Sequence, residues 1–349
     1  MKIIATARMG HGTFQAKFVP LSQLEEVEKI YVVRKTPGPE IDKLEYIVLP
    51  RWCRFSLFHV LMAPFVLALN AKKKKADLIL AYHMIPYLLF AWFASKLTGI
   101  PFIFAQTGSE CQLLVKKHFI GKFLLFCLTR AHLIFVPGDS SYRFWCSFGL
   151  EKKLRILHSS IDVERFSPKK KKCQTDILFV GRLSYEKQVD LVLKGSVSLV
   201  EKNPSLRIRI IGDGPKKREL IGLSEELSLS GNVVFTGFRE NILSDLNHAK
   251  IFIMTSSMEG LPVALMEAMA CEMLVIAPAV GNIPTILKDR KTGLLLQSTT
   301  TESVSLALED AYENYDHYDQ LRKNARQMIV DNYSYESAKK KWREIFQAI

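Results

Sequence analysis

An α/β architecture built on parallel sheets is what this sequence predicts, and three observations carry the expectation. Between Ile177 and Ala277, short apolar segments alternate with amphipathic ones at βαβ spacing. The first half repeats that alternation more loosely. A chain of 349 residues, 48% hydrophobic and 24% charged, is also long and apolar enough for two domains of ordinary size, each with its own core.

In the first half, Ile3–Ala7 and Lys29–Val33 read as strands, and Asp77–Ala81 as a short apolar strand behind the run Lys72–Lys75. Tyr87–Leu97 reads as a helix closed by Gly99 and Pro101. Phe102–Ala105 and Leu133–Val136 read as strands, with one long helical stretch, Cys111 to Arg130, between them. Leu57–Leu69 is apolar, but its length of about 13 residues falls short of the roughly 20 that cross a bilayer. His59 and Pro64 interrupt it as well, so a buried or interfacial helix is expected.

Lys169–Lys172, behind Pro168, reads as a solvated linker. Beyond it the pattern is cleaner: strand Ile177–Val180, helix Val189–Lys202, strand Leu206–Ile211, helix Lys216–Leu227 and strand Val233–Thr236. Helix Asn241–Ala249, strand Ile251–Thr255, helix Val263–Cys271 and strand Leu274–Ala277 follow. Two helical stretches, Glu302–Ile329 and Tyr335–Gln347, end the chain. Ligands of parallel sheets bind beyond the carboxyl ends of the strands, so the loops after the strands are where chemistry is to be sought.

Charge divides the two halves. The net charge is +13, and residues 1–165 carry 23 Lys and Arg against 12 Asp and Glu, whereas residues 166–349 carry 25 against 23. A basic surface attracts phosphates on lipid, nucleic acid or nucleotide. No basic-aromatic recognition motif accompanies it, so nucleic acid is not an expected partner. Leu113–Thr129 mixes Lys116, Lys117, His118 and Lys122 with Leu, Phe and Ile, and Arg130 follows. Such a helix either lies on an anionic membrane surface or packs in the core with a basic solvent edge. Cys53, Cys111, Cys127, Cys146, Cys173 and Cys271 form no C-x-x-C pair, which argues against a zinc site and a disulfide framework. Met1–Ala7 reads as a buried strand rather than a signal peptide, so a cytoplasmic location is expected, peripheral to the inner face of the membrane if that helix docks there.

Two loops carry the strongest chemistry. Gly181-Arg182-Leu183-Ser184-Tyr185-Glu186-Lys187 places a guanidinium and an ammonium five positions apart, between a strand end and a helix start. Arg offers a planar fork for phosphate oxygens, Lys a point charge, and the helix N-terminus a partial positive charge. Ser256-Ser257-Met258-Glu259-Gly260-Leu261-Pro262 leads into an apolar helix that contains Glu267. A carboxylate there is costly unless hydrogen-bonded, and ribose hydroxyls are suitable partners. Gly260 permits close backbone approach. Gly212-Asp213-Gly214-Pro215 forms a tight turn, Gly281-Asn282-Ile283-Pro284-Thr285 is another loop at the same sheet edge, and Asp289–Leu295 reads as a turn into a short strand.

With those pieces in order, Phe179 to Leu295 resembles the donor domain of retaining glycosyltransferases of family 4, within the glycosyl transferases group 1. The matching residues are Gly181-Arg182-Leu183 with Lys187, Gly212-Asp213-Gly214-Pro215, Glu259 with Glu267 eight positions on, and Asp289 to Leu295. The chain departs from the pattern at Asn282 and Thr285, where a Gly and a Glu are usual. In the first half, Gly10-His11-Gly12 resembles the family's glycine-rich loop facing the donor phosphates. Gln106-Thr107-Gly108-Ser109-Glu110 aligns where many members carry His-Gly-Ser-Asp, with Thr107 in place of the His. His158 to Pro168 corresponds to the segment before the interdomain linker.

The resemblance implies the GT-B fold: two Rossmann-like domains facing across a cleft, with a C-terminal helix packing back on the N-terminal domain. Residues 1–165 would bind the acceptor, 166–330 the nucleotide-sugar donor, and 331–349 would be the crossover helix. It implies sugar transfer, with retention, from a nucleoside-diphosphate-sugar to a polysaccharide, glycolipid or lipid-linked acceptor. Gly10, Gly12, Arg182, Lys187, Glu259, Gly260, Leu261 and Glu267 would bind the donor. Glu259, Arg182, Lys187 and Glu110 would serve catalysis, with His83 the rival of Glu110 at the acceptor. No Asp-x-Asp pair occurs, and neither metal nor other cofactor is expected. A GT-B nucleotide-sugar epimerase and a non-catalytic sugar-nucleotide binder are the alternatives.

Overall fold

The computed structural model describes residues 1–50, 56–107, 110–169 and 173–347, without the side chains of residues 56, 57, 110 and 118. Cys53, Gly108, Ser109 and Lys170–Lys172 therefore lie outside the described residues. The chain divides into two units: Met1–Ser160 with Tyr335–Ile349, and Ile161–Ser334.

The first unit runs β1 (Lys2–Thr6), α1 (His11–Ser22), β2 (Lys29–Arg34), β3 (Leu44–Val48), α2 (Ser56–Lys73), β4 (Leu78–Tyr82), α3 (Leu89–Thr98), β5 (Phe102–Ala105), α4 (Glu110–Val115), α5 (His118–Thr129), β6 (Leu133–Val136), α6 (Asp139–Cys146) and β7 (Leu154–Ile156). Its strands form one sheet in the order β3-β2-β1-β4-β5-β6-β7, every neighbouring pair parallel. The period of two along a strand sends alternate side chains to opposite faces. Ile3 and Ala5 join Phe14 and Phe18 of α1, while Ile4 joins Ala63 and Leu67 of α2 and Phe90 of α3. Both faces are covered, which is why the inner strands are apolar throughout.

The second unit runs β8 (Thr175–Val180), α7 (Val189–Lys202), β9 (Ile208–Ile211), α8 (Lys217–Glu226), β10 (Val233–Gly237), α9 (Leu243–Asn247), β11 (Ala249–Ile253), α10 (Val263–Ala270), β12 (Leu274–Pro278), α11 (Ile283–Ile286), β13 (Leu294–Leu296), α12 (Thr301–Glu313) and α13 (Asp319–Tyr333). Its parallel sheet has the order β10-β9-β8-β11-β12-β13. Ile177 and Phe179 pack with Leu193 of α7 and Leu308 of α12, and Leu178 with Met266 of α10 and Ile329 of α13. The last helix, α14 (Tyr335–Gln347), returns to the first unit, as the GT-B resemblance implies. Its Trp342 is 1% exposed and meets Phe135 edge-on, ring centroids 5.1 Å apart.

Several elements differ from the sequence reading. Cys111–Arg130 is two helices, broken at Lys116-Lys117, where Lys117 takes an extended conformation. The helices then cross closely at Gly121, where a Cβ would lie 2.0 Å from the Val115 carbonyl oxygen. Glu302–Ile329 is likewise α12 and α13. Asp310 stops the first by accepting from Asn314 at 2.9 Å and from the Tyr318 hydroxyl at 2.8 Å. Pro64 does not interrupt α2, which runs through it. Asn241–Ala249 shrinks to α9, because Ala249 already belongs to β11. The tight pairing of β2 with β3 and β6 with β7 reveals two strands that composition did not mark.

Candidate functional site

In the second unit, β9, β8, β11 and β12 lie side by side, so the loops after them share one rim. Backbone bonds stitch those loops together. The Gly181 amide donates to the Ile211 carbonyl at 3.0 Å, Leu183 to Asp213 at 2.9 Å, Ser257 to Glu186 at 2.8 Å and Asn282 to Gly260 at 3.1 Å. The Thr255 hydroxyl donates to the carbonyls of Lys187 and Gln188 at 3.0 and 2.9 Å. Such closeness explains the glycines: a Cβ at Gly212 would sit 1.8 Å from the Gly181 oxygen, and one at Gly214 2.2 Å from that of Leu183. At Gly281 it would sit 1.9 Å from the Glu259 oxygen, and φ of +57° adds strain for any other residue.

On this rim Lys187 forms an ion pair with Glu259, whose Oε1 also accepts from the Ser256 hydroxyl at 2.7 Å. The two side chains are only 19% and 9% exposed, so each neutralises a charge that would otherwise be costly. Arg182, five residues earlier, is exposed, and its guanidinium makes no hydrogen bond or ion pair among the described residues. The Ser184 hydroxyl bonds Glu186 at 2.6 Å and holds that carboxyl below its ordinary range. No group among the described residues accepts from the amides of Glu259, Gly260 or Leu261, which leaves three donors just ahead of α10.

Glu267 lies in α10. Its carboxyl is largely enclosed, although part of the residue reaches solvent, and no hydrogen bond or ion pair among the described residues holds it. Burial raises its pKa to about 7, against a smaller opposing pull from Arg165. Pro262 takes the position before the helix in an extended conformation, rather than in its first turn.

Arg182, Lys187, Glu259, Gly260 and Leu261 thus belong to one loop system, and Glu267 lies in the helix that follows it. Gly10, Gly12 and Glu110 belong to the first unit. Gly10 precedes α1 and Gly12 is its second residue, and a Cβ at either would meet nothing within 4 Å, so packing requires neither glycine. Glu110 opens α4, and its side chain lies outside the described residues. His83 follows β4 with φ of +72°. Thr107 keeps a buried hydroxyl without a partner. Gln106 is committed to packing, accepting from the Trp145 indole at 2.7 Å and donating to Ser141 at 3.3 Å. His158 bonds the Pro137 carbonyl at 2.8 Å, and burial beside Lys341 lowers its pKa to about 4.

Sequence reasoning missed Ser256 as the donor to Glu259, Thr255 as the tie between loops, and Arg165 as the cation facing Glu267. Ser256 and Thr255 were within reach of a strand-end rule. Arg165 gave no signal, since it stands 102 positions before Glu267 and ahead of the first strand of its unit. Among the described residues no three His, Cys, Asp or Glu side chains cluster as a metal site would.

The chain is similar over its whole length to the crystal structure of Anabaena Alr3699/HepE in complex with UDP and glucose. The TM-score is 0.83 at 15% identity, covering 100% of both chains. It is similar to sucrose-phosphate synthase from Thermosynechococcus elongatus with a TM-score of 0.79 at 17% identity, again over 100% of both. The chain has the GT-B fold. Residues 160–328 match the family model described as glycosyl transferases group 1. Among curated relatives, the putative colanic acid biosynthesis glycosyltransferase WcaL of Escherichia coli K12 is 28% identical over 212 residues, 57% of this chain and 52% of that protein. Sulfoquinovosyl transferase SQD2 of Arabidopsis thaliana is 26% identical over 297 residues, 78% of this chain and 52% of that protein. The chain spans about half the length of these curated relatives.

Proposed function

We propose that this GT-B chain is a retaining glycosyltransferase of family 4. It moves a hexosyl group from a nucleoside-diphosphate-sugar to a glycan or lipid-linked acceptor of the cell envelope, without a metal. The observation that carries the reading is the rim that holds Arg182 and the Lys187–Glu259 pair, followed by the helix α10 that buries the unpartnered Glu267. Breaking the bond between the anomeric carbon and the phosphate oxygen leaves the electron pair, and a growing negative charge, on the diphosphate. Fixed cations and amides stabilise that charge where a metal otherwise would. Arg182 and Lys187 supply the cations, and the open amides of Gly260 and Leu261 and the first turn of α10 add donors. Glu259 orients the transferred sugar and Glu267 accepts from ribose hydroxyls. The acceptor oxygen attacks the anomeric carbon from the face the phosphate leaves, and its proton passes to the departing phosphate oxygen. The UDP and glucose bound to HepE support a uridine nucleotide, and the name of WcaL supports an envelope polysaccharide setting.

A panel of nucleoside diphosphates and their sugars is tested by thermal shift. Donors that raise the melting temperature are then incubated with and without EDTA, alone and with lipid-linked and oligosaccharide acceptors. Products are read by mass spectrometry and proton NMR. The reading expects an α-linked product from an α-linked donor, unaffected by EDTA. A donor that is epimerised without acceptor, an inverted product, or activity abolished by EDTA each removes part of it. Absence of any nucleotide-dependent shift removes all of it.

A further inference from the structure

The first unit encloses a lysine that its own packing leaves unpaired. Lys17 stands on α1 between Ala16 and Phe18 and is only 5% exposed. Its ammonium makes no hydrogen bond or ion pair among the described residues. Lysine is almost never buried without a partner, because the ammonium gives up hydration that apolar neighbours do not return. Its place is fixed from both sides. The Ser160 amide and hydroxyl both donate to the Ala16 carbonyl, at 3.3 and 2.9 Å, and Phe14 and Phe18 share a core with Trp342 of α14. Burial lowers the pKa of Lys17 to about 8, so most molecules still carry its charge at pH 7.

A second lysine shares the neighbourhood. α14 packs against α1, and Lys341 on it is half-buried, makes no ion pair among the described residues and is likewise lowered by burial. Lys341 and Lys17 both act on the ring of His158, which follows β7 and, with its pKa near 4, is neutral at pH 7. Nδ1 of that ring donates to the Pro137 carbonyl at 2.8 Å, just ahead of α6. The acids that act on Lys341 are Glu344 and Asp139, both exposed, and neither is bonded to either lysine. Two ammonium groups thus stand in a partly dry place without a fixed counter-charge, and the start of α6 adds its partial positive charge. The cluster opens outward, from enclosed Lys17 through half-buried His158 and Lys341 to exposed Asp139. A small ion can follow that path where a protein side chain would not. Ammonium groups are point charges with three donors each, which suits the tetrahedral oxygens of a phosphate.

We propose that Lys17 and Lys341, at the junction of α1 and α14, hold a small phosphate-class dianion: inorganic phosphate or the phosphoryl group of a monoester. The site is independent of the donor reading, which rests on loops of the second unit. Isothermal titration of the full chain with sodium phosphate, against sodium chloride of matched ionic strength, is the test. Wild type is expected to show a binding phase that Lys17→Met weakens by about tenfold or more and Lys341→Met by about fivefold. Arg182→Ala keeps that phase. Phosphate raises the melting temperature of wild type and not that of Lys17→Met. In chloride alone Lys17→Met is at least as stable as wild type, because an unpaired buried charge has been removed. Affinity falls by up to about tenfold per unit above about pH 8, as Lys17 gives up its proton. Titration with glycerol 3-phosphate separates the sources: a tighter ester assigns the site to a phosphorylated metabolite, and tighter phosphate assigns it to the free ion. No phosphate binding by folded wild type overturns the proposal, as does equal binding by wild type and Lys341→Met, the variant that decides should Lys17→Met not fold. A phase lost in Arg182→Ala and kept in Lys17→Met places the phosphate in the second unit and overturns it too.

Discussion

Replacing Glu267 by Gln tests the donor loop through its most isolated charge. Burial lifts this carboxyl from 4.5 to about 7. Below about pH 4.5 both folded and unfolded chains hold the proton, and the stabilising contribution of the protonated group is fully present. As pH rises the unfolded chain gives up its proton first, and the contribution is lost by the time pH passes about 7. A rise of two to three pH units, at ~1.4 kcal/mol each, amounts to about 3 kcal/mol. The part of the side chain that reaches water trims this to about 2 kcal/mol. Urea unfolding at pH 5 and pH 8 is the assay. Going from the lower to the higher pH, the stability of Glu267→Gln relative to wild type is expected to improve by about 2 kcal/mol. Ribose hydroxyls donating to the carboxylate favour its ionised form, so nucleotide affinity in the wild type falls below about pH 7, by up to about tenfold per unit, and the variant loses that slope. Calorimetry in buffers of different ionisation heat detects the proton released on binding. Parallel stability profiles, together with equal nucleotide affinity at both pH values in the wild type, refute the reasoning.

Arg182→Ala is expected to lower turnover by about 100-fold or more while changing stability by less than about 0.5 kcal/mol, because the side chain is exposed and unbonded; normal kcat in a purified variant contradicts the assignment. Lys187→Ala is expected to lower turnover similarly and also to cost about 2–4 kcal/mol, since Glu259 is left enclosed without its cation; urea midpoints separate the two arginine and lysine behaviours. Gly281→Ala, with its Cβ 1.9 Å from the Glu259 oxygen, is expected to cost about 1–3 kcal/mol and to weaken nucleotide binding, whereas Gly10→Ala and Gly12→Ala leave the melting temperature unchanged. A Gly281→Ala protein as stable as wild type would show that the loops give way. Trp342→Ala is expected to cost about 3–5 kcal/mol, and unimpaired folding of that variant would deny α14 its place in the core of the first unit.

The second sheet was legible because its strands are short apolar runs separated by amphipathic helices, and period alone places Ile177–Val180 and Val189–Lys202. The breaks were not. Lys116-Lys117 and Asn314 carry no Pro, and the turns depend on what comes near: the Val115 carbonyl against Gly121, and the Tyr318 hydroxyl against Asp310. The site divides along the same line. Arg182, Lys187, Glu259 and Glu267 stand out as charges beside strand ends or within an apolar helix. That Lys187 and Glu259 face each other, with Ser256 completing the pair, is a fact of two loops 72 residues apart and has no signature in either.

That pairing bears on how these loops remain stable with their charges so close. Two cations and a carboxylate stand on the loops at one sheet edge, and a second carboxylate is buried in the helix that follows. Here Lys187 and Glu259 cancel, Arg182 stays in water where its charge costs little, and burial biases Glu267 toward its neutral form near pH 7. The loops are held by backbone bonds, the Thr255 hydroxyl and glycine contacts as well as by the Lys187–Glu259 pair. On the proposed function, a diphosphate entering beside Arg182 would compete with Glu259 for Lys187 and release that carboxylate toward the sugar, while the ribose would supply the donors that Glu267 lacks. On this account nucleotide alone and nucleotide-sugar differ chiefly in what Glu259 meets. Glu259→Gln should therefore keep most of the affinity for the nucleoside diphosphate, lose the added affinity for its sugar and lose turnover. A variant that loses both affinities equally would show that the carboxylate serves only to hold Lys187 in place.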